Sequence, residues 1–150
     1  MKGPSEIVKE SWSLGDVEFE RTESFRVPVA RLFGYVADLR NLPSWRQEIR
    51  KVTCLSSRKG AGVPGDSFVL DVLQGDSPVE VRVEIRALEK NRLLELEISS
   101  SSYQAIELYR FKEDGGNTRL EFSFKATRPG FLVRTPVSYT HLTLPTILLV

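Results

Sequence analysis

Residues 28–45 read PVARLFGYVADLRNLPSW, and the spacing of their apolar side chains decides what the rest of the chain must be. Pro28 suits the first turn of a helix, where its missing N–H removes no bond. Val29, Leu32, Phe33 and Val36 then recur at i, i+3, i+4 and i+7, the stripe of a short amphipathic helix. Asn41, Pro43 and Ser44 break the pattern, and SWRQEI at 44–49 is expected to supply one more helical turn. Two short helices joined by a bend need a larger apolar surface to pack on.

That surface is strand, on both sides of the helices. Upstream, DVEFERTESFRV (16–27) places Val17, Phe19, Phe25 and Val27 on one parity and Glu18, Glu20, Thr22, Ser24 and Arg26 on the other. Arg21 and Glu23 share the apolar parity. Either they face a cavity as isolated polar groups, or a strand end or bulge turns them to water; the second reading is the expectation.

Downstream, IRKVTCLSS (49–57) leads through a hairpin loop, KGAGVPG (59–65), to DSFVLDVLQG (66–75), where Phe68, Leu70 and Val72 alternate with polar residues. PVEVRVEIRALEK (78–90) has the cleanest period, with Val79, Val81, Val83 and Ile85 opposed to Glu80, Arg82, Glu84 and Arg86. RLLELEISS (92–100) repeats it through Leu94, Leu96 and Ile98. SYQAIELYRFKED (102–114) carries Tyr103, Ala105, Tyr109 and Phe111. Asp-Gly-Gly-Asn at 114–117 makes a tight turn into TRLEFSFKAT (118–127), with Leu120, Phe122, Phe124 and Ala126 on one face. The class is α+β: seven antiparallel strands, one face wet, with two short helices between the first and second.

Composition excludes several functions. The chain has 150 residues, 21 Lys and Arg against 20 Asp and Glu, and a net charge of +1, so no basic face is offered to nucleic acid or an anionic membrane. One cysteine, Cys54, forms no internal disulfide, and the N-terminus lacks a signal-peptide core, so a cytoplasmic location is expected. No apolar run reaches the roughly 20 residues of a membrane span. A lone Cys and a lone His give no metal-ligand spacing, so neither metal nor cofactor is expected. KGAGVPGD has glycines but no phosphate-loop spacing. Cys54 reads as a small buried or half-buried apolar residue, and Asp38 as the residue that ends the helix or holds the next turn.

Both termini stand apart. Residues 1–15 mix charge, Gly, Pro and Ser without period and are expected to be a flexible leader. At the other end VSYTHLTLPT (137–146) holds the only histidine, His141, yet lacks a helical period and any charged residue. It resembles one reading frame of a transposase adaptor from sequencing-library preparation, translated as if coding. The expectation is a domain over 16–136, cut short, followed by a non-native tail at 137–150. His141 is set aside with that tail.

The strand, helix pair and antiparallel run resemble the helix-grip fold of the START-related SRPBCC superfamily, the polyketide cyclase/dehydrase and lipid-transport group. Within ESFRVPVARLFGYVADLRNLPSW (23–45), Pro28, Phe33, Asp38, Asn41, Pro43 and Trp45 occupy the positions of that family's opening motif, and LYRFKEDGGNTRLEFSFKA (108–126) looks like its last hairpin. The resemblance implies a long C-terminal helix that closes an apolar cavity against the sheet. In this chain that helix would be missing or replaced, leaving the sheet face short of one wall.

The implied ligand is a small hydrophobic molecule, such as a lipid, quinone or polyketide, bound or carried between sheet and helices. Phe68, Leu70, Val81, Val83, Leu96, Phe122 and Phe124 are the expected apolar lining. Trp45, Tyr103, Glu107 and Tyr109 are the candidate contacts with polar atoms. The alternative is a cyclase or dehydratase in the same cavity, with Glu107 and Tyr109 as base and proton donor. Their competing reading is structural: Glu107 as a rim carboxylate at the sheet edge, Trp45 as packing. An acid/base enzyme usually shows His or paired carboxylates at its site, and the absence of histidine from 16–136 favours the binding protein. A third possibility is a subunit that offers its apolar face to a partner protein.

Overall fold

The computed structural model describes residues 9–13, 16–56, 62–101 and 103–127. The tail at 137–150, with His141, lies outside the described residues, as does the position of the implied C-terminal helix. The elements are β1 (Lys9–Ser13), β2 (Asp16–Phe25), α1 (Val29–Val36), a 3-10 turn (Leu39–Asn41), α2 (Leu42–Trp45), β3 (Ile49–Cys54), β4 (Ser67–Gln74), β5 (Ser77–Glu89), β6 (Leu93–Ser99), β7 (Gln104–Asp114) and β8 (Asn117–Thr127). All seven expected strands form. An eighth, β1, pairs antiparallel with β2 inside the segment expected to be a flexible leader.

The strands make one antiparallel sheet in the order β1-β2-β8-β7-β6-β5-β4-β3. From β3 to β8 each strand pairs with its neighbour in sequence, through short turns from β4 onward and a longer connection, 55–66, between β3 and β4. The turn from β7 to β8 needs positive φ at both Gly115 and Gly116, 56° and 87°, the backbone twist that matches a hairpin. β2 pairs with β8, so the chain must cross from one side of the sheet to the other to begin β3. The two helices make that crossing, and they touch β7, β8 and β3 on the way.

The helices differ from expectation at one boundary. Pro28 caps α1 with extended geometry, and Leu32, Phe33 and Val36 are its buried stripe. The second helical turn is Leu42–Trp45, two residues earlier than SWRQEI suggested, and Arg46 is already extended at φ −128° and ψ 104°. The reason is Pro43: in the first turn of a helix it starts the turn rather than breaking it. Asp38 acts as expected, its carboxylate accepting from the Arg40 N–H at 3.1 Å and from Arg40 Nε at 2.8 Å.

The inward parity of the sheet is continuous. Val81, Val83, Leu96, Phe122 and Phe124 are each no more than 5% exposed. The register of β2 against β8 runs unbroken from Val17 to Phe25, so no bulge rotates Arg21 or Glu23 outward. Arg21 is buried and pairs with Glu23 inside, the reverse of the expectation that both turn to water. Nor does the sheet face lie open. Among the described residues Leu55 is the only large apolar side chain that is exposed.

Candidate functional site

Strand register assembles the site in rows. Phe19, Phe124, Glu107, Leu96 and Ile85 are successive cross-strand partners over β2, β8, β7, β6 and β5. The next row holds Arg21, Phe122, Tyr109 and Leu94. Each row therefore sets one polar side chain or more among large apolar ones. Glu107 sits on a strand with two partners and is almost fully buried, so it is not a rim carboxylate at the sheet edge.

The crossing helices deliver the remaining members. Trp45, the last residue of α2, stands edge-on to Tyr109 with ring centroids 6.3 Å apart, and Tyr109 in turn packs on Phe122 at 4.9 Å. Arg46 turns inward beside it. Its Nη1 donates to Glu107 Oε1 at 3.1 Å and Oε2 at 3.3 Å and lies 3.4 Å from the Tyr109 hydroxyl. Its Nε and Nη2 hold Glu48 Oε2 at 3.0 and 2.9 Å. The Tyr109 hydroxyl donates to Glu107 Oε1 at 2.9 Å. One guanidinium thus serves two carboxylates and one phenol in the interior, where charges survive only when paired and hydrogen-bonded.

Two atoms beside this network stay unsatisfied. Among the described residues, the indole Nε1 of Trp45 and the Oε1 of Glu48 are buried without a hydrogen-bond partner. The phenols are held in their protonated form: burial first, and then the Glu107 charge, pushes Tyr109 well above the usual range. The same two causes push the half-buried Tyr103 up to about 12. Such phenols donate hydrogen bonds near neutral pH and do not act as bases.

Of the expected contacts, the structure brings Trp45, Glu107 and Tyr109 together, with Tyr103 packed 6.4 Å from Phe124 along the same face. Phe68, Leu70, Val81 and Val83 lie on the β4–β5 side of that face. The sequence reading missed Arg46 and Glu48. Arg46 is the extended residue that leaves α2, and Glu48 stands in the turn closed by the Ile49 N–H on the Arg46 carbonyl at 3.0 Å, a local geometry that reading 44–49 as a helical turn hid. Cys54 is half-buried with its Sγ 3.1 Å from Ser56 Oγ, well placed for a packing role. A shallow cleft between Glu89, Arg92 and Lys112 carries cations already paired with acids, Arg92 to Glu89 at 3.6 Å and Lys112 to Glu121 at 3.2 Å. No described helix is long and apolar enough to cross a membrane.

An antiparallel sheet holding a helix pair and a buried polar cluster against its inner face defines a helix-grip protein. Residues 16–140 match the polyketide cyclase/dehydrase and lipid transport family, and the chain belongs to it. The matched span ends within the 137–146 stretch.

Solved structures agree on the fold. A START superfamily protein from Mycobacterium smegmatis superposes with a TM-score of 0.65 at 13% identity, over 79% of this chain and 80% of that one. Ara h 8.0201 gives 0.63 at 18% identity, over 83% and 85%. The di-domain ARO/CYC StfQ from the steffimycin biosynthetic pathway gives 0.62 at 16% identity, over 76% of this chain and 37% of that one. No curated protein matches in sequence.

Proposed function

We propose that the protein binds and carries a small, mostly apolar molecule between the sheet and the helices, and makes or breaks no bond in it. The observation that carries this reading is the state of Glu107 and Tyr109. A general base needs a free lone pair aimed at substrate, and a general acid needs a proton it can release. Glu107 has both oxygens engaged by Arg46, and one of them also by Tyr109. Tyr109 holds its proton far above neutral pH. The pair is built to stay as it is. Apolar walls with a few fixed polar atoms are what an orienting binding site requires.

The reading is supported by the family's lipid-transport side, and the cyclase side supplies the competitor. Titration calorimetry of the purified chain with an apolar bicyclic probe tests it. Leu96→Asp or Phe122→Asp should abolish uptake, because a carboxylate buried without a partner costs several kcal/mol. Glu107→Gln and Tyr109→Phe should keep the affinity within about tenfold, or ~1.4 kcal/mol. Turnover of a poly-ketone substrate that either conservative change abolishes while binding persists would replace the carrier with the cyclase.

A further inference from the structure

The Arg46 network is closed on its guanidinium side and open at two atoms, and that asymmetry bears on what the site accepts. Arg46, the guanidinium beside these atoms, is already shared between Glu48 and Glu107. A ligand carboxylate entering here would meet two carboxylates drawing on one cation. Like charges at close range in a poorly hydrated interior repel strongly. The open atoms are a donor, Trp45 Nε1, and an acceptor, Glu48 Oε1, both buried and both without a partner among the described residues. The indole side chain is 4% exposed, so bulk water does not satisfy it.

We propose, on the footing that the site is a binding site for an apolar molecule, that Trp45 and Glu48 form its polar end and select a neutral, hydroxyl-bearing ligand over a carboxylate. An alcohol or phenol oxygen accepts from an indole N–H, and its hydrogen satisfies a carboxylate oxygen. A carboxylate can do only the first. A hydrocarbon does neither, and leaves both buried atoms unpaired. Discrimination of this kind is steep because the site's own polar groups are left unsatisfied by the wrong ligand.

Three probes of one shape test the assignment on the full 150-residue chain: 2-naphthol, 2-methylnaphthalene and 2-naphthoate, each titrated calorimetrically near neutral pH. The expected order is naphthol tightest, by about tenfold or more over methylnaphthalene, with naphthoate weakest. Trp45→Phe should remove most of the naphthol advantage and leave methylnaphthalene binding nearly unchanged. Glu48→Gln, which keeps an acceptor but deletes the charge, should raise the affinity for naphthoate. Equal binding of naphthol and methylnaphthalene by the wild-type chain, or naphthoate as the tightest, overturns the polar-end assignment while leaving the carrier reading intact. Failure of all three probes to bind overturns the carrier reading, and the assignment with it.

Discussion

Arg46 and Glu107, 61 residues apart in sequence, meet with one guanidinium nitrogen 3.1 and 3.3 Å from the two carboxylate oxygens, and both side chains are buried. The contact ties the exit of the helix pair to the middle of the sheet. Its energetics are unequal for the two partners. Removing Arg46 leaves the buried Glu107 and the half-buried Glu48 without their cation, whereas changing Glu107 leaves Arg46 with Glu48. Arg46→Leu should cost about 3–5 kcal/mol and Glu107→Gln about 1–3 kcal/mol in urea unfolding. Equal costs would show that Glu48 takes no part.

Gly62 lies against the core without a side chain. A Cβ there would come within 2.6 Å of Ile85 Cδ1 and 3.0 Å of Phe68 Cζ. Gly62→Ala should therefore destabilise the protein by about 1–3 kcal/mol through overpacking. Ile85→Val deletes the Cδ1 and by itself should cost about 0.5–1.5 kcal/mol. Combined, the two changes should cost clearly less than their sum, because the smaller residue vacates the space the new methyl needs. Additive costs would place the strain elsewhere.

Thr118 is fully buried, and its hydroxyl donates to the Val27 carbonyl at 2.8 Å, fastening the start of β8 to the entry of α1. Thr118→Val keeps the shape and leaves that carbonyl unmet. A loss of about 1–3 kcal/mol is expected. Thr118→Ser, which retains the donor, should recover part of it.

The tyrosines give the fold a pH dependence on the alkaline side. Tyr103 and Tyr109 both have folded values above the ordinary one, burial being the first cause and the Glu107 charge the second. The unfolded chain releases these protons near the usual value of about 10, while the folded chain keeps them. Their stabilising contribution is therefore complete below pH ~10 and is lost as pH rises, for Tyr103 through about 12. Spectrophotometric titration should show these phenols ionising late, together with unfolding. In Glu107→Gln, with the neighbouring charge gone, both should ionise earlier.

Period and turn chemistry make most of the sheet legible in the amino-acid sequence. The alternation through Val79, Val81, Val83 and Ile85 admits one buried parity, and Asp-Gly-Gly-Asn admits one kind of turn, so strand, face and hairpin follow from local rules. The helix pair is legible from Val29, Leu32, Phe33 and Val36, with its second turn misplaced because Pro43 can either stop a helix or start one. β1 is not legible: Lys9–Ser13 has no alternation of its own, and its pairing with β2 is a tertiary fact.

What the sequence determined by itself was the class of fold, the inward set of apolar residues and the placing of Glu107 and Tyr109 on that inward set, because side-chain direction in a strand depends only on parity. Whether those polar groups sat at a wet rim or in the interior was a matter of where β7 lay in the strand order, and only the completed sheet put it between β6 and β8. The same holds for Arg21, whose burial required an unbroken register with β8. Arg46 met Glu107 because the helices span the sheet from β2 to β3 and aim the residue after Trp45 at the central strands. Local sequence encodes direction along and across its own element. A partner 61 residues away is chosen by the path of the chain in between, and by the free energy that pairs a buried charge once it is there.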